Sequence, residues 1–287
     1  MHAMRRIGLF LLTNLLVVVT LSAIIQLTGI KIQNYAGLLV LCAVFGFGGA
    51  IISLLLSKTI AKASYRIQLI NPQNATGRLL TLYNGIEAMS SQMGFKTPQI
   101  GIYQSAEVNA FATGFSVNSA LVAFSSALVD RLDDDELAAV AGHELSHVSN
   151  GDMVTMTLLT GVANTFVMFF ARILAFAIAN RGSENRNSMG FGSFFLIIIL
   201  ENVLMLLAYI PISAFSRWRE FGADRGAAEL VHPVAMINAL MKIDSNYNRA
   251  TTKDSFAMAK IENRHKVSLF STHPSIKARI ERLQRMT

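Results

Sequence analysis

Residues 141–152 read AGHELSHVSNGD and set His143 and His147 four apart, with Glu144 beside the first. Residues four apart on an α-helix share a face, so both imidazoles could hold one zinc ion while Glu144 takes a proton from water. The bland alternative is two histidines facing cytosol and an ordinary surface acid. Catalytic zinc usually has three protein ligands, so the pattern calls for a third donor elsewhere. Residues 216–230, SRWREFGADRGAAEL, offer two carboxylates at helical spacing, Glu220 and Asp224. One could bind the metal while the other orients a ligand imidazole. On a solvated helix the same acids would instead pair with Arg217, Arg219 and Arg225.

These two stretches flank a chain that is almost wholly apolar. One run extends from about Met153 to Ala179 and another from about Phe191 to Phe215, separated by the polar NRGSENRNSMG. Two more uncharged runs lie between Arg6 and Lys31 and between Lys31 and Lys58. Each reaches the roughly 20 residues a helix needs to cross hydrocarbon, so four transmembrane helices are expected. The first run follows Arg5 and Arg6 as in a signal peptide. Its apolar stretch is too long for that role and lacks a clear cleavage site, so it should stay in the mature protein. The third and fourth runs form a hairpin that returns the chain to the same membrane face, bringing Glu220 near His143 and His147. Arg172 and Glu201 lie within this hairpin at similar depth. An ionisable group in the bilayer costs at least about 2.5 kcal/mol unless paired or snorkelling, which favours a pair.

Basic residues set the sidedness. Arg5, Arg6, Lys58, Lys62, Arg66, Arg217 and Arg219 flank one side, against Lys31, Arg181 and Arg186 on the other. Both termini and the polar segments should therefore be cytoplasmic. Residues 1–57 then hold two membrane helices and residues 153–215 a second membrane hairpin. Residues 58–152 and 216–287 form one polar domain interrupted in sequence. Within it, Leu79, Leu80, Tyr83, Ile86 and Met89 recur at helical spacing, with Gly94 as a stop. PQIGIY, VNAFATG and SALVAFS read as short strands of a small sheet. Asp133 to Glu136 supply the N-cap and first-turn acids of the helix carrying the two histidines, and Asn150-Gly151 marks its end.

Composition agrees with a membrane class. The 287 residues are 52% hydrophobic and only 15% charged, where soluble domains carry about a quarter charged residues. The net charge of +7 gathers beside the apolar runs, which suits anionic lipid headgroups. With no RNP-like motif, zinc-finger spacing or phosphate loop, nucleic acid is not expected as a partner. Cys42, the single cysteine, lies in an apolar run and cannot form an internal disulfide.

Several stretches together resemble the HtpX family of membrane-bound zinc metalloproteases, relatives of the CAAX prenyl proteases in the glutamate-ligand zincin group. They are the two N-terminal spans, NAFATG at Asn109–Gly114, HELSHVSNGD at His143–Asp152, the hairpin, REFGAD at Arg219–Asp224 and THPSIKARIERL at Thr272–Leu283. The likeness covers nearly the whole chain. It implies a mainly α membrane protein with four transmembrane helices and a zincin-like α+β cytoplasmic metalloprotease domain containing a small β-sheet. It also implies Zn2+ bound by His143, His147 and Glu220, with Glu144 as general base and Asp224 orienting a ligand histidine. Asn109, Ala110 and Phe111 would form a strand where substrate adds as an extra strand. His273 would help stabilise the oxyanion, unless it is only a turn residue before Pro274 at the start of the last helix. Arg217 is another oxyanion contact or, equally, a headgroup anchor.

The implied activity is endoproteolysis of damaged or misassembled membrane proteins on the cytoplasmic side of a bacterial inner membrane. The implied partners are membrane protein substrates and the lipid bilayer, with the oligomeric state open. A processing protease of lipidated C-termini fits less well, because there are no extra spans to enclose a lipid. A non-proteolytic adaptor or holdase with a structural zinc is the reading from another class. His2, His232 and His265 read as surface or turn residues, Trp218 as an interfacial anchor, and Arg249, Lys253, Lys260, Arg264 and Lys266 as a solvated face.

Overall fold

The computed structural model describes residues 34–179, 191–251 and 269–287, together with Thr20 and Ile24. The expected first span otherwise lies outside the described residues, as do His2, Lys31, Arg181, Arg186, Lys253, Lys260, Arg264, His265 and Lys266. In chain order the helices and strands are α1 (Tyr35–Tyr65), β1 (Gln68–Leu69), α2 (Gly77–Gln92), β2 (Gln99–Tyr103), β3 (Ala110–Thr113), β4 (Leu121–Ser125), α3 (Ser126–Arg131), α4 (Asp134–Ser149), α5 (Asp152–Ala179), α6 (Phe191–Leu230), α7 (Pro233–Thr251) and α8 (Ile276–Leu283). Two compact units result. One comprises Met1–Ile52 and Thr157–Pro211, the other Ser53–Met156 and Ile212–Thr287.

The protein is mainly helical. Among the described residues, α1, α5 and α6 are long and apolar enough to cross a membrane, matching the second, third and fourth expected spans. In the first unit, Leu38, Cys42 and Met168 form one buried cluster, and Ala175 and Ile197 another. A Cβ placed on Gly46 would lie 2.8 Å from the Thr165 backbone nitrogen, so α1 and α5 meet with main chain nearly in contact. Small residues allow such approaches where lipid gives helices no hydrophobic reason to associate. Arg172 is 1% exposed, and its Nη1 donates to Glu201 Oε1 at 2.6 Å and to the Met168 carbonyl at 3.0 Å. The two ionisable residues of the hairpin are therefore paired.

The fourth apolar stretch and the helical residues that carry Glu220 and Asp224 are one element, since α6 runs unbroken from Phe191 to Leu230. Pro211 lies inside it; a proline removes one backbone N–H, which helices in apolar surroundings tolerate when neighbouring groups compensate. No cap or glycine separates Phe215 from Arg219, and Arg, Glu and Ala sustain helix beyond it.

In the second unit the strand order is β1-β2-β4-β3, with β2 and β4 parallel in the centre and β1 and β3 antiparallel at the edges. The run LVAFS is buried throughout, as a central strand should be. The two-residue β1 carries no pattern that sequence could reveal. Both α2 and α4 contribute to the core with the sheet, through Ile86, Ile100, Val122, Phe124, Leu137 and Leu145. A second cluster joins Ala227, Met236, Leu240 and Leu283 from α6, α7 and α8. Pro274 is not part of α8: Ser275 is the N-cap, and its hydroxyl accepts from the Ala278 N–H.

Candidate metal centre

The helix that carries the histidines starts at a capping box. The Asp133 carboxylate accepts from the Glu136 N–H at 2.9 Å, while the Glu136 carboxylate accepts from the Asp133 N–H at 2.8 Å. The helix ends at Asn150, and Gly151 follows with φ of 67°, a left-handed conformation natural to glycine. His143 is buried and His147 nearly so, with ring centroids 4.7 Å apart and planes at 87°.

Opposite this turn, α6 presents Glu220, 2% exposed. His143 Nε2 lies 3.6 Å from Glu220 Oε2 and His147 Nε2 lies 3.4 Å from Glu220 Oε1. Donor atoms from the three side chains all fall within 4.8 Å of one another. Ligand atoms at tetrahedral corners about 2.0–2.1 Å from zinc are roughly 3.4 Å apart, so these spacings fit that ion. His273 Nδ1 approaches Glu220 Oε2 to 2.9 Å, but outside hydrogen-bonding geometry, so this buried oxygen has no hydrogen-bond donor among the described residues. A buried carboxylate oxygen left over between two imidazoles is what a metal site requires.

Each imidazole is held from behind. The Asp224 carboxylate lies 3.0 Å from His143 Nδ1, and the Asp152 carboxylate 2.6 Å from His147 Nδ1. A proton on Nδ1 donated to a carboxylate leaves the Nε2 lone pair facing Glu220. Arg279 grips Asp224 with two hydrogen bonds, Nε to Oδ2 at 2.8 Å and Nη2 to Oδ1 at 2.6 Å. Arg219 Nη1 stands 3.6 Å from Asp152.

The electrostatics follow from this crowding. Burial works against a charge on His143, but Asp224 and Glu220 outweigh it and raise its pKa. For His147 the same opposition, with Asp152 and Glu220 prevailing, raises the pKa to about 9. Burial would raise the carboxyl of Glu220, yet the close imidazoles of His143, His147 and His273 hold it far below the usual range. Asp224 is likewise lowered, burial being outweighed by Arg279 and then His143.

The remaining residues singled out in the sequence take varied positions. Glu144 is half-buried on α4, and its carboxylate makes no hydrogen bond or ion pair with another described residue. Ala110 and Phe111 lie on β3, the edge strand against which α4 packs. Asn109 immediately precedes β3, its N–H donating to Ser125 Oγ at 3.1 Å. The side chain of His273 is 66% exposed, and its loop is tied down by Arg217, whose Nη1 donates to the carbonyls of Ser271 at 2.6 Å and Leu269 at 3.3 Å. That guanidinium edge is thus occupied by backbone. Trp218 is exposed, and His232 Nδ1 accepts from the Ala235 N–H at the start of α7, a turn role.

Sequence reasoning did not single out Asp152 or Arg279. Asp152 follows His147 across a helix break, where helical counting fails. Arg279 carries a readable signal, since it lies within the stripe Ile276, Ile280 and Leu283, where a cation has no business unless paired.

The chain is similar to known proteins. Residues 80–287 match peptidase family M48. The chain is 44% identical over 288 residues to Protease HtpX of Stutzerimonas stutzeri, covering 98% of this chain and 99% of that protein. It is equally 44% identical over 291 residues to Protease HtpX of Aeromonas hydrophila, covering 98% and 100%. The crystal structure of S. mikatae Ste24p shares the fold at a TM-score of 0.61 and 20% identity, over 92% of this chain. The chain spans 64% of that longer protein.

Proposed function

Because the chain belongs to peptidase family M48, among the HtpX proteases, and is a membrane metalloprotease, we propose that it is a zinc-dependent endopeptidase. His143, His147 and Glu220 hold the metal in this reading, and one observation carries it: their donor atoms converge within 4.8 Å. Zinc supplies a Lewis acid that lowers the pKa of water toward about 7 and polarises a peptide carbonyl. The chain's own groups do the rest.

Glu144, adjacent to His143 and free of ion pairs among the described residues, accepts the proton of the attacking water on its carboxylate. It then delivers that proton to the departing amine nitrogen. Asp224 accepts from His143 Nδ1–H and keeps that ring's Nε2 directed at the site. Extended substrate pairs with β3 at Asn109, Ala110 and Phe111; support comes from the position of β3 at the sheet edge beside α4. His273, beside Glu220, offers an imidazole N–H to the oxyanion, and Arg217 serves it by fixing the loop.

The proposed setting is a bacterial inner membrane, with both termini and the metal centre cytoplasmic. The balance of Lys and Arg at the span ends and the bacterial relatives support it. The catalytic domain then comprises residues 58–152 and 216–287, with membrane parts at 1–57 and 153–215. Substrates are damaged or misassembled membrane proteins, cut in cytoplasmic segments.

The test is Glu144→Ala in the full chain with a quenched peptide. Zinc content should match wild type while turnover falls by about 100- to 10,000-fold. Retained turnover refutes Glu144 as the base. Wild-type protein that binds zinc and cuts nothing would instead assign the zinc a structural role.

A further inference from the structure

The metal centre is symmetrical in a way its motif does not announce. His143 has Asp224 behind it and Arg279 behind that; His147 has Asp152 behind it and Arg219 beyond. We infer that Asp152 is a positioning residue of the metal centre, fixing the ring of His147 as Asp224 fixes that of His143. The inference rests on the metallopeptidase reading above.

The geometry is specific. Asp152 is 6% exposed, and its Oδ2 lies 2.6 Å from His147 Nδ1, a length typical of a charge-assisted bond. The opposite nitrogen of the same ring lies 3.4 Å from Glu220 Oε1. One hydrogen bond therefore sets both the tautomer and the aim of the imidazole. Asp152 is also the first residue of α5, where the unpaired N–H groups of a helix start favour an anion. Arg219 Nη1, 3.6 Å away, adds a second favourable charge beside the carboxylate.

What brings the carboxylate back to the ring is the turn between α4 and α5. Gly151 at φ of 67° turns the chain between the two helices, and its carbonyl accepts from the Thr155 N–H at 3.1 Å. Asp152 is thereby returned toward the helix the chain has just left. Helical periodicity alone would not place the fifth residue after His147 on the same side.

The full-length protein in detergent micelles, titrated with zinc against a competing chelator, tests this. Asp152→Ala should weaken zinc binding about 10- to 100-fold, the range usual for loss of such an outer partner. Asp152→Asn, which keeps the shape but not the charge, should fall between Ala and wild type, and Asp152→Glu should recover most of the affinity. Cobalt(II) in place of zinc should show altered visible bands in Asp152→Ala, because the ring of His147 turns. The unfolding temperature of the chelator-stripped Asp152→Asn protein, close to wild type, separates aim from fold. Zinc affinity within about twofold of wild type in both Ala and Asn variants, with unchanged cobalt bands, overturns the inference and leaves the metallopeptidase reading standing. Equal weakening in Ala, Asn and Glu variants, accompanied by a lower stripped unfolding temperature, overturns it too, since Asp152 would then serve only the start of α5. Wild-type protein that takes up no zinc overturns both.

Discussion

Two buried arginines, one in each unit, meet a carboxylate at the same closest distance and do opposite things with it. Arg172 reaches Glu201 through Nη1 alone at 2.6 Å, and its Nε and Nη2 have no hydrogen-bond partner among the described residues. Arg279 spends Nε and Nη2 on both oxygens of Asp224, which in turn backs His143. The first contact ends at its carboxylate; the second continues through an imidazole to Glu220, whose Oε2 has no hydrogen-bond donor among the described residues. Buried charge is therefore no sign of a site by itself. The sign is a chain of oriented groups that terminates in unspent electron pairs.

Exchanging the insults should break or uphold that contrast. Glu220→Ala should abolish stoichiometric zinc and essentially all peptide hydrolysis, read by metal analysis and a quenched peptide. Glu201→Ala should keep the zinc yet cost about 3–5 kcal/mol of stability, because it strands a buried guanidinium. If Glu201→Ala empties the metal centre as well, the two charge clusters are not independent. The swap Arg172→Glu with Glu201→Arg should be more stable than either single variant by about 1–3 kcal/mol of coupling, measured by unfolding in micelles. A double variant no better than the worse single one would show that the two charges do not act as a pair.

The smallest effect concerns the start of α4. Asp133→Ala should cost about 1 kcal/mol, the usual worth of an N-cap. The Glu136 N–H chiefly, helped by Lys242, holds the Asp133 carboxyl below its ordinary value. A depressed folded pKa means that the contribution is present above the unfolded value of about 4 and fades as pH falls through the folded one. In chelator-stripped protein, the gap between wild type and Asp133→Ala should therefore narrow below about pH 4. A gap constant with pH would assign the cost to something other than the ionised cap.

How legible all this was depends on how local the rule is. The spacing of His143 and His147, the capping acids and the strands at 99–103 and 121–125 obey periodicities of one element, and sequence displays them. Glu220 and Asp224 could be nominated by spacing, but their division of labour came only from family resemblance. The structure sets Glu220 between the two Nε2 atoms and Asp224 behind one Nδ1. Asp152 escaped because its position depends on one glycine turn, and Arg279 because a cation in KARIERL passes for surface. That α6 continues past Phe215 was not stated from sequence, because hydropathy ends the apolar run there while the helix itself goes on to Leu230.

Gly226 has a consequence for how firmly the ligands are spaced. A Cβ there would sit 2.8 Å from the Cβ of Ser146, one residue before His147, so the α6 backbone packs directly on that short side chain, whose hydroxyl is itself bonded to the Gly142 carbonyl at 2.7 Å. A spacer made of a long side chain can hop between rotamers; a Cβ is fixed to its own backbone and has nowhere to hop. The gap across which imidazole and carboxylate face each other is thus gauged by backbone, like the fixed jaw of a caliper. Heat or a neighbouring substitution can tilt the rings, but the jaw itself opens only if the helices part.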